Sequence, residues 1–198
     1  MLINFALLVL ISGCASSKIT SSWKLQSAIV QKPLKIMVIG VIKESDRSIQ
    51  ENMENHLVED LVKLGYTAVS SFKEYGPNSF KKGDTTAAIL KLKNSGVDAV
   101  LTIVLLDKKK EQQYVTNNYK NQFYGYRYEM YMRVFEPDYY VTNTSYFWES
   151  NFYDLKSFQL IYSVQTKSFN PDNAAILGHE YGKMIVKDMI KQKVLSQQ

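Results

Sequence analysis

The chain is poor in the residues from which most active sites are built. Its 198 residues hold one cysteine, two histidines and four prolines. A single thiol cannot form an internal disulfide, which excludes a cross-linked framework. His56 and His179 fall in separate helical segments and neither has a second histidine at i+4, so neither makes a histidine metal pair. Gly40 stands alone without the glycine spacing of a phosphate cradle. No Gly-x-Ser-x-Gly elbow presents a serine nucleophile. No apolar run approaches the roughly 20 residues needed to cross a bilayer as a helix. Internal repeats and low-complexity tracts are also missing. Neither a cofactor nor a metal is implied by what remains.

Charge is unbalanced only mildly. There are 24 basic and 19 acidic side chains, a net charge of +5. Nucleic-acid binding requires basic residues gathered on one face. The only dense run is Lys108-Lys109-Lys110, ended by Glu111, which reads as a solvated strand end. The surplus fits a surface near anionic head groups and equally fits nothing in particular, and no nucleic-acid partner is expected.

What is present begins at the N-terminus. Residues 2–11 are uncharged and largely apolar, and they lead into Leu10-Ile11-Ser12-Gly13-Cys14. An apolar stretch of about ten residues closed by small residues has the shape of a secretory signal peptide. With a cysteine directly after the small residues, the segment resembles the lipobox of bacterial lipoproteins. That resemblance implies cleavage before Cys14, a diacylated thiol and an acylated new amino terminus. Two plainer readings compete: an ordinary signal peptide with an incidental cysteine, since no Lys or Arg precedes the run, and the first strand of a buried core. Against the strand stands the polar tract that follows at once, residues 15–20. Lipidation also accounts for a lone cysteine in an oxidising compartment. Ala15 and Ser16, in place of Asp, suggest the outer membrane, facing the periplasm.

The expected division is therefore a signal peptide over residues 1–13, a lipidated tether over 14–22 and one domain over 23–198. About 185 residues follow the cleavage point, enough for one sizeable core. The tether, at about 3.3 Å per residue, reaches roughly 25 Å.

The front of the domain alternates strands and helices. Residues 23–25 form a short edge strand. Residues 34–42 are apolar on both parities, as in a strand covered on both faces. Ile49, Met53, Leu57, Leu61 and Leu64 recur at helical spacing over 47–64, with Glu51, Glu54, Glu59 and Asp60 off the stripe, and Gly65 suits a left-handed helix end. A strand at 67–71, a loop at 72–82, a helix from Asp84 to about residue 95 and a doubly buried strand at 98–107 follow. Short connections in this order predict right-handed crossovers and a parallel sheet.

The back of the domain is different. Residues 114–162 contain eleven of the fourteen tyrosines. Tyr124, Tyr126, Tyr128, Met130 and Met132 share one parity and Arg127, Glu129 and Arg133 the other, the alternation of a strand. Residues 146–153 and 160–167 repeat it, joined by a hairpin at 154–158, with Trp148, Phe152, Leu160, Tyr162 and Val164 facing the core. A last helix opens at Pro171 and Asp172 and carries Leu177, Tyr181, Ile185 and Met189 on one stripe. The fold class is α/β, or α+β: a three-strand parallel βαβαβ half extended by an antiparallel Tyr-rich meander and closed by a C-terminal helix.

Trp148-Glu149-Ser150-Asn151-Phe152-Tyr153-Asp154 and Leu160-Ile161-Tyr162-Ser163 mark a hairpin. Together with Val38-Ile39-Gly40-Val41 and Gly96-Val97-Asp98-Ala99-Val100, it resembles a family of small uncharacterised bacterial envelope lipoproteins. The fold this implies is similar to the α/β domain of the curli-secretion lipoprotein and of lipoprotein activators of penicillin-binding proteins. No enzymatic activity comes with the resemblance.

Three functions are weighed. The first is a membrane-anchored lipoprotein, non-enzymatic, that binds an envelope protein or glycan or has a structural role. Tyr119, Phe123, Tyr139 and Tyr140 at hairpin tips are its candidate contact residues, since tyrosine offers amphipathic contact area; the competing reading of the aromatic face is core. The second is a periplasmic hydrolase using Glu149 and Asp154 for acid-base chemistry, against which both residues suit hydrogen bonds that shape a turn. The third is a subunit of an oligomeric secretion-type assembly. It demands a long membrane-inserting hairpin, and Arg127, Glu129 and Arg133 argue against lipid contact on their face.

Overall fold

The structure, a computed structural model, describes residues 16–26, 34–77, 79–80, 85–114 and 140–196. Its described strands form one sheet: β1 (Ser17–Lys24), β2 (Lys35–Val41), β3 (Thr67–Ser70), β4 (Ala99–Tyr114), β5 (Tyr140–Asp154) and β6 (Gln159–Phe169). The spatial order is β1-β6-β5-β4-β2-β3. β2 is parallel to β3 and β4, whereas β4, β5, β6 and β1 run antiparallel in turn. The helices are α1 (Arg47–Lys63), α2 (Ser71–Tyr75), α3 (Thr85–Asn94) and α4 (Ala174–Lys191). The expected parallel half, antiparallel extension and closing helix are all present.

Crossover direction explains the layering. The chain moves outward from β2 to β3 through α1, then back past β2 to β4 through α3. Right-handed crossovers in opposite directions place their helices on opposite faces. One face accordingly carries α1 and α4 over the main core, where Met53, Leu57 and Leu61 meet Leu177, Tyr181, Ile185 and Met189 above Trp148, Phe152 and Tyr162. The other face carries a smaller cluster of Met37, Ile39, Val97 and Val100 with Leu92 of α3. Each such side chain, fully buried, contributes about 1.5–3 kcal/mol. β2 is thus buried on both sides, as its unbroken apolar run predicts.

Helix ends follow local chemistry. Gly65 has φ of 84° just beyond α1, the left-handed geometry its position predicts. Asn173 caps α4 through its side-chain oxygen, which accepts from the Ile176 amide at 2.9 Å. α4 approaches α1 closely because it presents Gly178 and Gly182. A Cβ at Gly178 would lie 2.9 Å from the Asn52 backbone, and one at Gly182 would lie 3.0 Å from Asp60 Oδ2.

Several expectations need correction. β1 begins at Ser17, six residues before the expected domain start at Trp23. Ser17 to Ser22, expected as tether, instead pair with β6 as an edge strand. Their polar sequence disguised this, because an edge strand with one solvated face needs few apolar residues. The loop expected at 72–82 contains α2, started by Ser70, whose hydroxyl accepts from the Lys73 amide. Glu54, placed off the helical stripe, is fully buried. Lys108 is inside β4, not at a solvated end: β4 runs on to Tyr114, and the Lys108 ammonium lies 2.5 Å from Asp46 Oδ1 beside the start of α1. Leu160 is only half-buried, and Ile161 packs in the core instead, because a bulge opposite Phe152 and Tyr153 shifts the parity of β6. The strand expected around Tyr124 and the cap expected from Asp84 lie outside the described residues.

Candidate functional site

Two polar centres are buried in the fold, and each is assembled from elements far apart in sequence. The first surrounds Glu54. Its Oε1 accepts from the Gly40 amide at 2.8 Å and from Gln50 Nε2 at 3.0 Å, and its Oε2 accepts from the Ser70 hydroxyl at 2.7 Å and the Phe72 amide at 2.8 Å. Ser71 adds a longer contact at 3.2 Å. One carboxyl group thus ties the end of β2 to the first turn of α2, where unpaired backbone amides need an acceptor. Gly40 is required here by space, since a Cβ would stand 2.6 Å from Gln50 Cγ. The readable signals were the Ser70-Ser71 pair, the bare Gly40 and the i, i+4 pair Gln50 and Glu54. With no exposure, Glu54 is structural.

The second centre lies under α4. Asp188 Oδ2 accepts from the Tyr162 hydroxyl at 2.8 Å and from the Ser22 hydroxyl at 2.6 Å. Burial, and then the Asp188 carboxylate that it faces, push the ionisation of Tyr162 far above the ordinary tyrosine range. Tyr181 is raised likewise by burial, only partly offset by its 2.7 Å hydrogen bond with Ser150.

Asp188 also borders a surface concavity, a groove of about 620 Å³ between β1 and α4. The two elements run side by side in the same direction: Ser16 donates to Glu180 Oε2 at 2.5 Å, Ser22 to Asp188, and Lys24 to the Gln192 carbonyl at 2.8 Å. Ile19 and Met184, both packed against the core, give the groove its apolar lining. Lys183, Lys187 and Lys191 line it at i, i+4 and i+8, so they share one helical face. This groove joins segments more than 160 residues apart, which no local motif could signal.

The residues weighed for acid-base chemistry are engaged in the sheet. Asn151 Nδ2 donates to Glu149 Oε1 at 2.9 Å, and Gln165 Nε2 to Glu149 Oε2 at 3.0 Å. Asp154 accepts from the Ser157 amide at 2.8 Å and the Ser157 hydroxyl at 2.5 Å, closing the hairpin. Burial alone would raise the Asp154 carboxyl, but the Ser157 and Lys156 hydrogen bonds outweigh it and hold it below its ordinary value. His56 and His179, expected in two different helices, meet edge to face across the α1–α4 contact with ring centres 5.6 Å apart. Among the described residues no group of three His, Cys, Asp or Glu side chains is arranged to hold a metal.

Cys14, Tyr119, Phe123 and Tyr139 lie outside the described residues, and Tyr140 is described only in backbone, paired with Tyr114. The described part of the aromatic face is core: Trp148 and Tyr162 have no exposure, and Trp148 stacks on Tyr146 and meets Tyr181 edge-on.

No protein-family model matches the chain. No curated protein matches it either. Among solved structures it is similar to the PelC dodecamer of Paraburkholderia phytofirmans, at 9% identity and a TM-score of 0.46 over 83% of this chain and 94% of that one. It is also similar to lipoprotein GNA1162 of Neisseria meningitidis, at 14% identity and 0.44 over 83% and 100%. A neuraminyllactose-binding hemagglutinin homolog of Helicobacter pylori aligns at 16% identity and 0.34 over 87% and 89%. At these identities and TM-scores the likenesses carry nothing about activity.

Proposed function

We propose that the chain is a bacterial lipoprotein, acylated at Cys14 and held at an envelope membrane, whose domain has a non-enzymatic binding or structural role. The observation that carries this reading is the apolar run ending in Leu10-Ile11-Ser12-Gly13-Cys14, followed three residues later by the first strand of the fold, Ser17–Lys24. Leader and domain abut, so the anchor would hold the domain against the bilayer on a tether of only two residues, not the eight expected from sequence. Acyl chains stabilise membrane attachment by about 0.8 kcal/mol per buried methylene, and two or three chains together make attachment effectively permanent. Among the described residues no helix is long and apolar enough to cross a membrane, so the lipid would carry the attachment. A non-enzymatic role is supported by Glu149 and Asp154, whose carboxyl oxygens serve the sheet and its turn.

The test is fractionation of wild type beside Cys14→Ala in bacteria. Wild type should sediment with membranes and resist extraction by high salt, and the variant should be released or left unprocessed. Equal behaviour of the two would remove the anchor.

A second reading, a subunit of an oligomeric secretion-type assembly, draws on a different observation. β4 and β5 pair from Ala99 with Asp154 to Tyr114 with Tyr140, whereas β2 leaves β4 at Val104 and β6 leaves β5 at Ser145. The last turns of this ribbon stand clear of the sheet, as an arm between copies would require. Native mass of the detergent-extracted protein separates the readings: a single oligomeric mass favours the assembly, a monomer the first reading.

A further inference from the structure

We propose that the lysine row of α4 and the groove it shares with β1 rest on the anionic phospholipid headgroups of the membrane that holds the anchor. This deepens the lipoprotein reading and rests on it. Cys14 stands two residues before Ser16, and two residues reach at most about 7 Å. Ser16 is fixed to α4 by its hydroxyl, which donates to Glu180 Oε2 at 2.5 Å. An acylated Cys14 therefore brings the Glu180 turn of α4 to the headgroup layer.

From that turn the exposed side chains of Lys183, Lys187 and Lys191 continue along one face of the helix. At 1.5 Å per residue the row spans about 12 Å, a length that meets a plane when the helix lies along it. Among the described residues no carboxylate stands within ion-pair distance of the three. The two carboxylates that also line the groove are engaged: Glu180 accepts from Ser16, and Asp188 from Ser22 and Tyr162. Phe169 lies at the tether end, its amide donating to the Ser16 carbonyl at 2.7 Å, and its side chain is 47% exposed. An exposed apolar ring can bury at the boundary between headgroups and acyl chains. The groove thus offers cations for phosphate and, in Ile19 and Met184, apolar surface for the glycerol esters beneath.

The probe is amine acetylation, read lysine by lysine by mass spectrometry, of the wild-type chain recovered from bacterial membranes. The chain is placed in bilayers of phosphatidylcholine with or without phosphatidylglycerol, and the acyl mass on Cys14 is read in the same sample. Lys183, Lys187 and Lys191 should label about fivefold more slowly in the anionic bilayer, while Lys73 on α2, in the parallel half, stays unchanged. The protection should fade in about 1 M salt, where screening acts within 3 Å. An acylated chain whose three lysines label equally in both bilayers overturns the headgroup assignment and leaves the anchor intact, as does protection that arises only when envelope protein is added. A chain without acyl mass overturns the anchor and this proposal with it.

Discussion

The two buried carboxyl groups occupy halves of one sheet that are built differently. Glu54 lies in the parallel half, where helices cover both faces, and Phe72, Gly40, Gln50 and two serines all donate to it. Asp188 lies in the antiparallel half, where α4 covers one face, and among the described residues it accepts from the Tyr162 and Ser22 hydroxyls. The parallel half turns its carboxyl group inward, under α1 and α2, and ends in the edge strand β3. The antiparallel half ends in the edge strand β1 and adds a groove and a row of lysines with no ion-pair partner among the described residues. A sheet with one solvated face can present side chains without unsatisfying its own backbone.

The comparison is tested hardest at Glu54. Glu54→Ala leaves the Gly40 and Phe72 amides and two serine hydroxyls without their acceptor, and each buried orphan costs about 1–3 kcal/mol. A loss of about 4 kcal/mol or more in urea unfolding is expected; a loss below about 1 kcal/mol would mean that water already reaches this centre. Next comes the contact joining the halves: Gly178→Ala puts a methyl 2.9 Å from the Asn52 backbone, and about 1–3 kcal/mol should be lost as α4 shifts. Asp188→Ala orphans one buried hydroxyl, Tyr162, since Ser22 turns to solvent, and should cost about 1–2 kcal/mol, clearly less than Glu54→Ala.

Titration should also separate the halves. Tyr162 and Tyr181 have raised ionisation in the folded state, so their contribution is complete below about pH 10 and is lost as pH climbs past it. Alkaline unfolding should therefore be delayed in neither half alone but triggered from the α4 side, and Tyr162→Phe should flatten the decline seen by circular dichroism. Asp154 has the opposite sign: its lowered value gives the hairpin stability that is present above about pH 4 and fades below it. Asp154→Asn should remove that acid dependence at a cost under about 1 kcal/mol at neutral pH.

What could be read from the sequence was what repeats locally. The stripe Leu177, Tyr181, Ile185 and Met189 is fully buried as its spacing predicts, and the unbroken run of β2 announced its two covered faces. A polar residue inside a stripe defeats such reasoning, because periodicity scores Glu54 as solvent-facing and cannot see Gly40 and Ser70 waiting for it. A bulge defeats it too, as at Ile161. β1 was hidden by its serines, and the groove by distance along the chain. The spacing of Gly178 and Gly182 was legible and marks close helix contact, which periodicity of apolar residues alone passes over.

The most direct test of the central claim is the intact mass of the mature protein extracted from bacterial membranes. A chain beginning at Cys14 and heavier by two or three acyl groups is the expected result. A chain that begins elsewhere, or begins at Cys14 with a free thiol, would contradict the anchor and return the α4 groove to an ordinary solvent-facing surface.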